Sequence, residues 1–125
     1  MTNFRTPKRQ VRGLGSAKSG VHHFITQRVS ALALIILVPL FCWGLAAHNV
    51  SDYDSARAWF GSATGAIVTL IALTAAFYHM RLGLQTVIED YIEKPATKMA
   101  LLVLNTLLAA GLWLATLYSV LKLAA

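Results

Sequence analysis

Long apolar stretches alternate with short polar ones along this chain. Three can be read directly: residues 29–47, about 63–88, and 99–121, the second broken by His79 and Arg81. Each is long enough for the roughly 20 helical residues that cross a hydrocarbon core of about 30 Å. In lipid such segments must be helical, because only a helix satisfies its own backbone groups. The pattern predicts an all-α membrane protein of three transmembrane helices, at about 24–47, 55–92 and 96–122. Residues 21–125 then form one transmembrane domain behind a polar tail over 1–20.

Composition agrees. Of 125 residues, 57% are hydrophobic and 13% charged, where soluble domains carry about a quarter charged; the mean hydropathy is +0.60. The first apolar run is too long and too far from Met1 for a secretory signal peptide. The tail is rich in Gly and Ser and reads as a surface segment with little fixed structure.

Charge sets the expected topology. Arg5, Lys8, Arg9, Arg12, Lys18 and Arg28 precede or open the first span without an acid among them. The connector over 48–62 holds one basic residue, Arg57, whereas that over 89–98 holds Lys94 and Lys98, with Arg81 just before it. By the positive-inside rule the N-terminus is cytoplasmic and the C-terminus periplasmic. The net charge of +6 therefore reports topology and a cytoplasmic-face partner or anionic lipid, not nucleic acid. Cys42 is the single cysteine, which excludes a disulfide or a CxxC metal site. Local signals predict an N-cap at Asp54 or Ser55, an interfacial belt of Tyr53, Trp59 and Phe60, and a helix end near 91–94 ahead of Pro95. Pro39 lies inside the first span, where a kink is tolerated if neighbours cover the freed carbonyl.

His79 is the residue that asks for chemistry. At about 100° per residue, Ala72, Ala75, Ala76, Gly83, Thr86 and Asp90 lie within about 60° of it, so its face is built of small residues with polar groups at intervals. Two readings are open: close helix packing with His79 hydrogen-bonded across the interface, or a groove for a flat cofactor with His79 as axial ligand. His79 lies about 16 Å from Asp90 along the helix, about half a hydrocarbon thickness deep. A bis-histidine haem needs a second imidazole, and His22, His23 and His48 lie at the boundaries, so a partner chain would supply it. At the inner end, Glu89, Glu93 and Lys94 read as a solvated helix terminus. Tyr91 is either belt material or a hydrogen-bond donor to a quinone carbonyl, with Asp90 orienting or relaying a proton. Arg28 and His22 share that membrane face and could reach an anionic cofactor group or a lipid phosphate. Arg81, about 200° from His79, snorkels or pairs within the chain.

The spacing His79-x3-Gly83-x6-Asp90-Tyr91, with the lead-in Gly20-Val21-His22-x-Phe24-x3-Arg28, resembles the small cytochrome b membrane anchor family of succinate dehydrogenase, respiratory complex II, over roughly residues 20–121. The resemblance implies haem b held by His79 as iron ligand, the other axial ligand coming from the larger cytochrome b anchor of the same complex. It implies haem-propionate contacts from Arg28 and His22, and ubiquinone bound by Tyr91 with Asp90 in support. FAD and iron–sulfur clusters would lie only in partner flavoprotein and iron–sulfur subunits, since this chain has no nucleotide loop or cysteine cluster. Three rivals stand beside it. They are the anchor of a quinol:fumarate reductase, a purely structural haem-free anchor, and an ion carrier, the last disfavoured because no acid lies between Asp54 and Glu89. The expected location is a bacterial inner membrane rather than a mitochondrial one, the chain having no long presequence.

Overall fold

The computed structural model describes residues 6–12 and 19–124. The described residues form helices and no strand, in five elements: α1 (Pro7–Arg12), α2 (Ser19–Ala47), α3 (Tyr53–Gly61), α4 (Ala63–Tyr91) and α5 (Pro95–Ala124). Three of them, Gly20–Ala47 within α2, Ala63–Tyr91 and Pro95–Ala124, are long and apolar enough to cross a membrane. The tail, where little fixed structure was expected, contains one short helix, α1; residues 1–5 and 13–18 lie outside the described part. α2 also begins earlier than expected and runs unbroken through Pro39.

α4 is the central element, packed against α2 on one side and α5 on another. Polar side chains join these helices inside the apolar zone. Trp113 Nε1 donates to Thr74 Oγ1 at 2.9 Å, and Asn105 Nδ2 donates to the Arg81 carbonyl at 2.9 Å. Arg81 Nε donates to Thr106 Oγ1 at 3.3 Å, so Arg81 pairs within the chain. Such bonds matter because apolar burial alone does not hold helices together when the surrounding solvent is itself apolar.

The expected single helix over 55–92 is two helices with a corner at Ser62, whose backbone is extended (φ −72°, ψ 148°). Ser62 serves both. Its Oγ accepts from Gly65 N at 3.0 Å as the N-cap of α4, and the same hydroxyl donates to the Trp59 carbonyl at 2.7 Å. The N-cap of α3 is Asp52, not Asp54 or Ser55: its carboxylate accepts from Ser55 N at 3.0 Å, the three-residue reach an N-cap requires. That bond, with a second from the Ser55 hydroxyl, holds the Asp52 carboxyl below its ordinary value.

α2 ends in a Schellman motif. Val50 N donates to the Leu45 carbonyl and Asn49 N to the Ala46 carbonyl, both at 3.4 Å, with Asn49 left-handed at φ 47°, a conformation asparagine tolerates. α3 then folds back over the bundle end. Trp59 is buried (9% exposed) rather than part of a surface belt, while Tyr53 remains exposed. The indole fits a notch between two glycines. A Cβ on Gly44 would meet Trp59 Cζ2 at 2.5 Å, and one on Gly65 would overlap the Trp59 carbonyl. His48 stacks on the indole, with ring centroids 4.3 Å apart.

Candidate functional site

His79 stands on α4 about 18 Å from the Tyr91 end at 1.5 Å per residue. Its Nδ1 lies 2.9 Å from the Ser30 hydroxyl of α2, and Ser30 is 8% exposed. The Ser30 hydroxyl also lies 3.0 Å from the Gln27 carbonyl, to which it donates. No described residue bonds His79 Nε2. Among the described residues the imidazole is therefore tied through one nitrogen.

The stripe of small residues divides at His79. Towards the Trp59 end it is filled by helix packing: Ala72 is 3% exposed and Gly65 is closed by Trp59. Towards the Tyr91 end it is open, since a Cβ on Gly83 would meet nothing within 4 Å. Both readings of the stripe thus have a length of helix where they fit. Beside His79, α2 and α4 also enclose a groove of about 490 Å³ whose lining includes Ser30, Ala33, Ala75 and Tyr78.

A flat macrocycle fits this arrangement on chemical grounds. A neutral imidazole with one nitrogen hydrogen-bonded and the other uncommitted is the ordinary form of a metal-ligating histidine. Small residues leave room next to it. The chain supplies one such nitrogen at that depth, because His22 and His23 lie in the first turns of α2 and His48 is stacked on Trp59 at the opposite end.

The remaining candidates lie on α2 and at the Tyr91 end of α4. Arg28 lies about 200° around α2 from Ser30, with its guanidinium carbon 5.2 Å from the Phe24 ring centroid, and so is not brought to the His79 face. His22 is exposed. His23, seven residues before Ser30 and so within about 20° of the same direction, shares Ser30's face; its Nε2 is buried with no partner among the described residues. The spacing of His23 and Ser30 was legible in the sequence, yet neither residue was singled out for the site.

Glu89 is occupied as a helix terminus. Its carbonyl accepts from Lys98 Nζ at 2.8 Å and its carboxylate from Gln85 Nε2 at 2.8 Å. The side chains of Asp90 and Tyr91 make no hydrogen bond within the described residues. Both are exposed, Tyr91 at 80%. A phenol at the last residue of a span and a carboxylate beside it can donate a hydrogen bond and exchange a proton at the edge of the apolar zone.

Residues 2–120 match the sequence profile of the family described as succinate dehydrogenase/fumarate reductase transmembrane subunit. The chain is 35% identical over 91 residues to the succinate dehydrogenase hydrophobic membrane anchor subunit of Rickettsia bellii, covering 73% of each. It is 32% identical over 97 residues to that of Paracoccus denitrificans, covering 78% of this chain and 75% of the relative. For the Coxiella burnetii protein of the same name the identity is 27% over 96 residues, covering 77% and 84% respectively. No solved structure matches.

Proposed function

The chain belongs to the succinate dehydrogenase/fumarate reductase transmembrane subunit family, and from that premise we propose that it anchors a succinate:quinone oxidoreductase and helps to form its haem b and ubiquinone sites. The observation that carries the haem assignment is His79, fixed through Nδ1 in mid-span with Nε2 uncommitted beside the open face at Gly83. His79 would hold the iron of haem b through Nε2, with the larger cytochrome b anchor completing the site. The haem, when bound, supplies a one-electron carrier between the iron–sulfur subunit and the membrane.

Tyr91 donates a hydrogen bond to a ubiquinone carbonyl, and Asp90 delivers a proton as the quinone is reduced. Both being exposed at the end of α4, they suit a site completed by the iron–sulfur subunit, which docks with the flavoprotein on the cytoplasmic face. Arg28 and His22 serve the haem propionates. For Arg28, on the side of α2 away from Ser30, this requires the guanidinium to leave Phe24, which costs about 1 kcal/mol at an exposed cation–π contact, and to reach around the helix. The membrane is the bacterial inner membrane, with the N-terminus cytoplasmic. Succinate oxidation is favoured over fumarate reduction because the relatives named above are succinate dehydrogenase anchors.

The test is Tyr91→Phe in the assembled complex. It removes one donor and nothing else, so quinone reduction falls while assembly and succinate oxidation by an artificial acceptor persist. Equal loss of both activities refutes the assignment. A purely structural anchor instead leaves quinone reduction intact in both Tyr91→Phe and His79→Ala.

A further inference from the structure

We propose that Ser30 is the positioning residue for the His79 imidazole, accepting the Nδ1 proton so that Nε2 is held ready for the haem iron, and that this bond lowers the potential of that haem. The inference rests on the reading of His79 as an axial ligand.

A serine hydroxyl has one proton. In Ser30 it is directed to the Gln27 carbonyl 3.0 Å away, the i−3 bond that serine makes readily within an apolar helix. Only lone pairs of Oγ then face His79 Nδ1 at 2.9 Å. Nδ1 must be the donor, so a neutral ring carries its lone pair on Nε2. That is the tautomer able to bind a metal. The opposite tautomer sets Nδ1 and Oγ lone pairs against each other unless Ser30 abandons Gln27.

Ser30 is also the right kind of partner in the right place. It is buried, and although the groove is also lined by the hydroxyls of Thr26, Thr74 and Tyr78, Thr26 donates to the His22 and His23 carbonyls, Thr74 accepts from Trp113, and among the described residues Ser30 alone is bonded to His79. Without the Ser30 hydroxyl the Nδ1 proton loses that partner. An imidazole that donates through its second nitrogen is more electron-rich at the first, which stabilises ferric over ferrous iron. The hydroxyl thus fixes both the ring orientation and the ligand strength.

The experiment uses the assembled complex with wild-type chain, Ser30→Ala and Ser30→Thr. Haem content is measured after extraction, the ferric haem is examined by electron paramagnetic resonance, and the midpoint is found by mediated redox titration. A net hydrogen bond changes an equilibrium by about three- to tenfold. At the wild-type midpoint, Ser30→Ala should therefore hold about three- to tenfold more ferrous than ferric haem, the upper figure corresponding to about 59 mV for one electron. Ser30→Thr, which keeps a hydroxyl, should restore the wild-type potential and spectrum. Full haem content in Ser30→Ala with unchanged midpoint and spectrum overturns the proposal. Should that variant fail to assemble, Ser30→Cys keeps the volume while weakening the acceptor, and an unchanged midpoint there is equally fatal. Failure of the parent reading looks different: wild-type complex with no b-type band after dithionite, or His79→Ala retaining that band, removes the haem assignment and this inference with it.

Discussion

Gly65→Ala should destabilise the chain, although alanine is the better helix former. The opposing effects can be weighed. Replacing a helical glycine contributes at most about 1 kcal/mol of stability, and less in a first turn. The new Cβ, however, would overlap the Trp59 carbonyl and lie 2.8 Å from the carbonyl carbon. Backbone cannot yield as a side-chain tip can. The same carbonyl accepts from Ser62 N at 3.1 Å and Ser62 Oγ at 2.7 Å, so moving it loosens the N-cap of α4, worth about 1 kcal/mol. Overpacking costs about 1–3 kcal/mol more. Complete release of the indole would set a ceiling of about 4–6 kcal/mol from its area in water, but here the ring is released into a membrane interface and the ceiling is not approached. The net expectation is a loss of about 2 kcal/mol. The assay is reversible unfolding in mixed micelles titrated with a denaturing detergent, followed by tryptophan fluorescence. Gly111→Ala is the control, because its Cβ would meet nothing within 4 Å, and it should show no loss. If Gly65→Ala is as stable as Gly111→Ala, the notch is not close-fitting and the argument fails.

Two further perturbations separate competing effects. Asn105 is 7% exposed, donates one bond to α4 and leaves Oδ1 unpaired among the described residues. Asn105→Ala forfeits an interhelical bond averaging about 0.6 kcal/mol but removes an orphaned acceptor, so stability in the same assay should change by less than about 1 kcal/mol; a loss above about 2 kcal/mol would mean that Oδ1 is satisfied by some other group. For Asp52 the folded pKa is depressed below 3.8 by Ser55, so its contribution is present in full above that value and is lost as pH falls through the folded pKa. Amide protection at Ser55, taken relative to intrinsic exchange, should fall on acidification into that range, and should be low and insensitive to it in Asp52→Ala, which removes the acceptor; protection in the native chain that ignores acid would show the cap to be idle.

The spans were legible because a hydrocarbon solvent leaves so few options: an apolar run of sufficient length must be a helix. The corner at Ser62 was hidden because the run of small and polar residues over 61–65 reads equally as helix interior or helix end. What decides it is the cap bond to Gly65 N together with Trp59 lodged between Gly44 and Gly65, and such a notch is assembled from three helices. His79 was visible as an ionisable residue in a span, and its face could be computed from the helical repeat. Ser30 was not visible, since a serine in a transmembrane helix commonly satisfies itself on its own backbone, and only the packing of α2 on α4 brings its hydroxyl to the imidazole. Arg28 shows the converse. Its sequence spacing places it near the site, yet on the helix it turns to Phe24.

The connection between α4 and α5 bears on how the bundle is divided. Only residues 92–94 separate Tyr91 from Pro95, a link that spans about 10 Å when extended, whereas α4 at 29 residues is about 43 Å long. Once α4 spans the bilayer, α5 has nowhere to go except back alongside it, and Lys98 bonded to the Glu89 carbonyl closes the loop. Residues 63–124 therefore form a hairpin, whereas α2 reaches α4 through the longer segment that includes α3. The hydroxyl and the imidazole belong to different units of the bundle, so the His79 imidazole is oriented only where the first span is docked onto the hairpin.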